Sequence, residues 1–232
     1  MTQPAALFAA ARLILLDFDG PTCHLFAGYP AHALADDFRT YLRSQDVPVV
    51  GEPPDPLLIY ADAVRQHGEL ADDIEAWLTR AETIAAQRAE PTPGCRELLI
   101  AAARIGLPVA IISNNSEAAI RAYLDREHLA DYVAGVTGRP YAAPDRMKPD
   151  PWSIHHTARG YTLPASACVL IGDSVTDIDA ACAAGCPSIG FANKAGKAEQ
   201  LGRAGATTVV EDMRTLAAAI PADAPTGKAR HA

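Results

Sequence analysis

The sequence predicts an α/β protein: a mostly parallel sheet with an all-helical block inserted near its beginning. Three observations carry this. The apolar run Leu13-Ile14-Leu15-Leu16 reads as a strand buried on both faces, and it ends abruptly in two acids, Asp17 and Asp19, followed by Gly20. From Gly94 onward, short β-branched runs alternate with helical periodicity, as βαβ units do. Between these parts, residues 24–90 show helical stripes and no convincing strand.

Taken in order, residues 1–16 are apolar but lack a basic leading region and carry Arg12 inside the run, so they do not read as a signal peptide. After Gly20, the stretch from Pro21 to Gly28 has no clean period. Residues 31–45 read as a helix with Leu34, Phe38, Tyr41 and Leu42 on one stripe. The proline-rich loop Gly51-Glu52-Pro53-Pro54-Asp55-Pro56 separates it from helices over 57–67 and 70–88, the last with Ile74, Trp77, Leu78, Ala81 and Ile84 turned inward. Pro91-Thr92-Pro93-Gly94 closes the block. Helices are then expected over 95–105, 117–127, 151–160 and 178–184, and strands over 107–112, 132–136, 168–171, 187–191 and 207–210. The stretch Ser113-Asn114-Asn115-Ser116 can cap the helix over 117–127. Residues 221–232 read as a frayed end.

With 232 residues, 49% of them hydrophobic, the chain can bury one good-sized core plus a smaller insert. A net charge of −8 without any Lys/Arg block excludes a nucleic-acid or anionic-membrane partner, and no apolar stretch reaches the roughly 18 residues of a membrane span. The five cysteines, an odd number without a C-x-x-C pair, read as reduced thiols in a cytoplasmic protein.

In parallel sheets, ligands sit at the carboxyl ends of the strands. Asp17 with Asp19, Ser113 with Asn114, and Asp173 with Asp177 each follow directly on an apolar strand, so one edge would collect four carboxylates. Crowded carboxylates repel, and a divalent cation such as Mg²⁺ would relieve them. Asp17-Phe18-Asp19-Gly20 taken alone reads equally well as an ordinary turn. Lys148, pinned between Met147 and Pro149, is the counter-charge candidate; taken alone it reads as a solvated loop lysine.

These residues resemble the motifs of the haloacid dehalogenase superfamily, in its phosphatase branch with a helical cap of the first type. D-x-D-G-T is matched by Asp17-Phe18-Asp19-Gly20-Pro21-Thr22, the strand-end Ser by Ser113, the Lys by Lys148, and G-D-S-x-x-D by Gly172-Asp173-Ser174-Val175-Thr176-Asp177. The resemblance implies a Rossmann-like core formed by residues 1–23 and 91–232, with a helical cap over 24–90. It implies a phosphatase, phosphoglycolate phosphatase-like, that hydrolyses a small phosphorylated metabolite such as phosphoglycolate or a sugar phosphate. Asp17 would be the nucleophile, forming an aspartyl phosphate, and Asp19 the general acid and base. Mg²⁺ would be held by Asp17, Asp19 through its backbone carbonyl, Asp173 and Asp177, the last as ligand or behind the ligands. The phosphoryl group would be met by the Phe18 amide, Ser113, the Asn114 amide and Lys148.

Pro21, which intervenes before Thr22, departs from the pattern and removes an N–H from the turn. His24, Arg39 and Arg43 are candidate substrate contacts, although each arginine taken alone reads more readily as a surface charge on a helix. His155, His156, Cys182 and Cys186 read as structural. A sugar-phosphate mutase would keep the same residues. A hydrolytic dehalogenase would need neither Asp19 nor Asp173, and an inactive regulatory module would not need the reactive set at all.

Overall fold

A computed structural model describes residues 3–49, 51 and 53–221. The elements, in order, are α1 (Pro4–Ala10), β1 (Leu13–Asp17), β2 (Cys23–His24), α2 (Ala31–Ser44), α3 (Pro56–Gln66), α4 (Ala71–Ala86), β3 (Glu90–Pro91), α5 (Cys95–Arg104), β4 (Val109–Ile112), α6 (Glu117–Arg126), β5 (Gly135–Thr137), α7 (Trp152–Gly160), β6 (Cys168–Gly172), α8 (Val175–Ala184), β7 (Ser188–Phe191), α9 (Lys197–Arg203), β8 (Thr208–Val210) and α10 (Met213–Ala219).

Six parallel strands form the sheet in the order β5-β4-β1-β6-β7-β8. β1 is central because every side chain in Leu13–Asp17 is buried, a composition tolerated only where both faces are covered. Its alternation divides the core. Ile14 and Leu16 join Val109, Ile111, Val169 and Ile171 on one face, packed by α1, α5, α6 and α10. Leu13 and Leu15 join Ala110, Ile112 and Leu170 on the other, under α7 and α8. Register then places the chemistry. Leu16 lies level with Ile111 on one side and Ile171 on the other, so Asp17, Ser113 and Asp173 leave the sheet at one edge. Because the chain runs from β4 to β5 on one side of β1 and from β6 to β8 on the other, that edge is the point where strand order reverses, the usual crevice of such sheets.

α2, α3 and α4 enclose a separate apolar cluster that includes Leu34, Phe38, Leu42, Ile59, Tyr60, Ile74 and Leu78. This block joins the sheet domain through the two-stranded antiparallel ribbon β2–β3, where Cys23 pairs with Pro91 and His24 with Glu90. No helix among the described residues is long and apolar enough to cross a membrane. All five cysteines are free, Cys182 alone being exposed.

Several sequence expectations shift. The apolar N-terminus contains α1, whose Leu7 and Phe8 are buried against the core. Residues Ala130–Tyr132 form a 3₁₀ turn, moving the expected 132–136 strand to Gly135–Thr137. The helix expected over 70–88 starts after a separate 3₁₀ turn and ends at Ala86, and Ile84 is exposed at 44% because Glu82 takes the inward position. α9 and α10 were not anticipated; both are short, and apolar periodicity needs more turns to show. Of the expected frayed end over 221–232, residues 222–232 lie outside the described residues.

Candidate active site

The loop after β1 is closed by its own backbone. The Gly20 N–H donates to the Cys23 carbonyl at 2.7 Å, and the N–H groups of Thr22 and Cys23 both donate to the Phe18 carbonyl, at 3.2 and 3.1 Å. Thr22 Oγ1 donates to the Asp17 carbonyl at 2.7 Å. The N–H that Pro21 lacks is therefore not needed to hold the turn. Gly20 sits at φ +108°, and a Cβ there would lie 2.4 Å from Cγ of Asp173. Gly20→Ala is expected to cost about 1–3 kcal/mol of stability through backbone strain and to displace Asp173; urea unfolding and Mg²⁺ titration of the variant check it.

Lys148 is buried and bridges two carboxylates, its Nζ lying 2.6 Å from Asp17 Oδ1 and 2.5 Å from Asp177 Oδ1. Burial works against its charge, but Asp17 and Asp177 more than offset this, so the ammonium is retained. Its backbone is clasped by Asn114: Lys148 N–H donates to Asn114 Oδ1 at 2.8 Å, and Asn114 Nδ2 donates to the Lys148 carbonyl at 3.0 Å. The fully buried Asp177 also closes the capping box of α8, its Oδ2 accepting from the Ser174 N–H and hydroxyl at 3.0 and 2.7 Å.

Asp173 is held from a loop that sequence reading passed over. Lys197 Nζ lies 2.5 Å from Asp173 Oδ2, and Asn193 Nδ2 donates to the same oxygen at 3.0 Å. Both residues follow β7, so the strand-end rule applied to Phe191 would have found them. Asp19 Oδ1 accepts from the Leu25 N–H at 2.9 Å, and burial, against that hydrogen bond, pushes the Asp19 carboxyl up to about 6. Burial first, then Asp177 and Asp173, push Asp17 well above the ordinary carboxylate range against the pull of Lys148. Ser113 is buried, its Oγ donating to Asn115 Oδ1 at 3.2 Å and accepting from the Asn115 N–H at 3.1 Å.

Asp17, Asp173 and Asp177 each bring a carboxylate oxygen within 4.8 Å of the others. Three hard oxygen donors crowded together, with a lysine on either side, suit a small divalent cation. The Asp19 side chain stands outside this cluster, turned to Leu25.

Together with the helical block, these loops enclose a cavity of about 960 Å³ lined by Asp17, Asp19, Ser113, Asn114, Lys148, Asp173 and Asp177, among others. Three expected substrate contacts are not in that lining. His24 is exposed on β2, and Arg43 is likewise outside. Arg39 is buried, its guanidinium donating to Asp36 and the Pro53 carbonyl, and so braces the helical block. Phe18 is fully buried, edge-to-face with Tyr123 at 5.5 Å.

A second buried ionic group joins the block to the core. Arg139, after β5, donates through Nη2 to Glu75 at 2.6 Å and through Nη1 to Glu82 at 2.8 Å and to the Asn114 carbonyl at 3.1 Å. Glu75 and Glu82 are both on α4. Tyr60 donates to Glu75 at 2.5 Å, and Glu82 accepts from Asn115 Nδ2 and the Ser116 N–H at 3.0 and 2.9 Å. Burial opposes Glu75's charge, but Arg139 brings its pKa below the ordinary value.

The chain that carries this edge, with its Asp17–Asp19 turn, buried lysine and acidic cluster, matches a known family of proteins. The chain belongs to the haloacid dehalogenase-like hydrolases, whose family model matches residues 11–185. Over 221 residues it is 29% identical to the phosphoglycolate phosphatase of Rhodospirillum rubrum, covering 88% of this chain and 89% of that one. Among solved structures, a haloacid dehalogenase-like protein of Agrobacterium tumefaciens superposes with a TM-score of 0.62 at 25% identity, covering 90% of this chain and 97% of that one. CbbY from Rhodobacter sphaeroides, solved in complex with phosphate, gives a TM-score of 0.68 over 90% of this chain and 99% of that one; at 19% identity it shows a shared fold.

Proposed function

We propose that this protein is a Mg²⁺-dependent phosphatase that hydrolyses a small phosphorylated metabolite through an aspartyl phosphate on Asp17. The observation that carries the reading is the placement of Asp17 between a buried lysine, 2.6 Å away, and the carboxylates of Asp173 and Asp177. A carboxylate nucleophile held beside a lysine, in a cluster that suits a divalent cation, meets what attack on a phosphate dianion requires. The Rhodospirillum rubrum relative, a phosphoglycolate phosphatase, supports the reaction class.

Asp17, Asp173 and Asp177, with the Asp19 carbonyl, would hold Mg²⁺, which supplies charge neutralisation at the phosphoryl oxygens and at the nucleophile. An Asp17 carboxylate oxygen attacks phosphorus, and the bond from phosphorus to the ester oxygen breaks. Asp19 donates its proton to the departing oxygen; a carboxyl titrating near 6 retains that proton at higher pH than a solvated one. Water then attacks phosphorus, and Asp19 takes its proton as phosphate leaves and the Asp17 carboxylate is restored. Lys148 holds charge at the nucleophile and on a phosphoryl oxygen, while Ser113 and the Asn114 and Phe18 amides receive the other oxygens. Asn114 also aims Lys148 through its two-point clasp. Residues 24–90 act as a cap that excludes water and selects the leaving group.

A colorimetric assay with 4-nitrophenyl phosphate tests this. Turnover is expected with Mg²⁺, loss of essentially all of it with excess EDTA, and recovery when Mg²⁺ is restored. Turnover unaffected by EDTA would rule out the metal assignment.

A further inference from the structure

The wall that faces the acidic loops has a different chemistry. From the helical block the cavity receives Phe26, Pro54, Leu57, Leu58 and Ala61, and Leu58 stands 59% exposed in the first turn of α3. Only Asp55 and Arg65 carry charge on that wall among the described residues. Arg65 is already matched, its Nε and Nη2 lying 2.8 and 2.7 Å from Asp145 Oδ1 across the mouth. Asp55 starts α3, its Oδ1 accepting from the Leu57 N–H at 2.8 Å.

Among the described residues of the lining, seven carboxylates (Asp17, Asp19, Asp55, Asp145, Asp150, Asp173 and Asp177) face two cations, Lys148 and Arg65, and each cation has a carboxylate partner. Lys148 serves the phosphoryl half of the site, whereas the one cation of the leaving-group half among the described residues, Arg65, is paired with Asp145. A carboxylate placed there would lie beside the like charges of Asp55 and Asp145 and would have to compete with Asp145 for Arg65. An aliphatic group there would instead bury its surface against Leu57 and Leu58.

Building on the phosphatase reading, we propose that the leaving group this cavity takes is an uncharged alcohol carrying an apolar portion, and that a carboxylate on the leaving group is selected against. Such selection works through what the pocket withholds as much as through what it contacts. The specificity would thus differ from that named for the Rhodospirillum rubrum relative, whose substrate carries a carboxylate.

The test compares kcat/KM of the full chain with Mg²⁺ on n-butyl phosphate, ethyl phosphate and 2-phosphoglycolate, with 4-nitrophenyl phosphate as control. Ethyl phosphate and 2-phosphoglycolate differ by a methyl against a carboxylate. The order butyl, ethyl, phosphoglycolate is expected, with at least a tenfold gap between first and last. Asp55→Asn keeps an acceptor for the Leu57 N–H and is expected to narrow that gap at least threefold by raising the value for 2-phosphoglycolate. If the control is hydrolysed but 2-phosphoglycolate equals or exceeds n-butyl phosphate, the selection is overturned and the phosphatase reading stands. If no monoester is hydrolysed, both fall. A gap unchanged by Asp55→Asn overturns the part assigned to Asp55.

Discussion

Asp17→Asn is expected to lower phosphate release by roughly three orders of magnitude or more, while circular dichroism and the thermal midpoint stay close to those of the parent. The first expectation follows from chemistry, since an amide oxygen cannot form the acyl phosphate on which the proposed route depends. The second follows from electrostatics. Asp17 sits among carboxylates that oppose its ionisation, so a neutral isostere relieves repulsion, and Lys148 keeps Asp177 at 2.5 Å. Acid-quenched protein incubated with ³²P-labelled substrate should carry label on the parent and none on the variant. Full turnover by Asp17→Asn would remove the nucleophile assignment and the mechanism built on it.

Arg139→Met is expected to destabilise the fold by about 3 kcal/mol or more, the cost of leaving a buried ion pair with one partner missing. The guanidinium is fully buried and serves Glu75 and Glu82 together, so its loss leaves two carboxylates in a low-dielectric interior. Their remaining donors set the magnitude. Tyr60 still serves Glu75, and Asn115 with the Ser116 N–H at the start of α6 still serves Glu82, which keeps the loss near the low end of the range. Adding Glu75→Gln to the variant should recover part of the loss, because the second change removes a charge that the first stranded. Urea unfolding of the parent, single and double variants measures both quantities, and a single-variant loss below about 1 kcal/mol would mean that water replaces the guanidinium.

The sheet was legible because buried parallel strands must be apolar throughout. Leu13–Asp17, Val109–Ile112 and Cys168–Gly172 stand out from any neighbouring composition, and parallel strands bring their ends to one edge. Asp17, Asp173, Asp177 and Lys148 were accessible for the same reason: each is a charged residue at the end of an apolar strand or beside a fixed proline. Arg139 was not, since a cation in a polar loop carries no sign of what it will meet, and its partners lie 64 and 57 residues away in sequence; Asn193 and Lys197 follow β7 and were within reach of the same strand-end rule. Glu82 was hidden for a further reason. On an amphipathic helix the apolar stripe predicts which side faces inward, and a glutamate that faces inward to meet an arginine contradicts the stripe, so Ile84 was placed inside in its stead. The short helices α9 and α10 offered too few turns to establish a period.

The chain holds two tryptophans, one in each of its packed units. Trp77 stacks against both Phe38 and Tyr41, at 4.8 and 5.3 Å, within the three-helix block, whereas Trp152 lies on α7 against His156 at 4.6 Å. Intrinsic emission therefore has two separable sources, and replacing Trp152 with phenylalanine would leave a signal from the helical block alone. Coincidence of that signal with far-ultraviolet dichroism during denaturation would mark the two units as melting together, and a gap between the curves would show that one opens before the other.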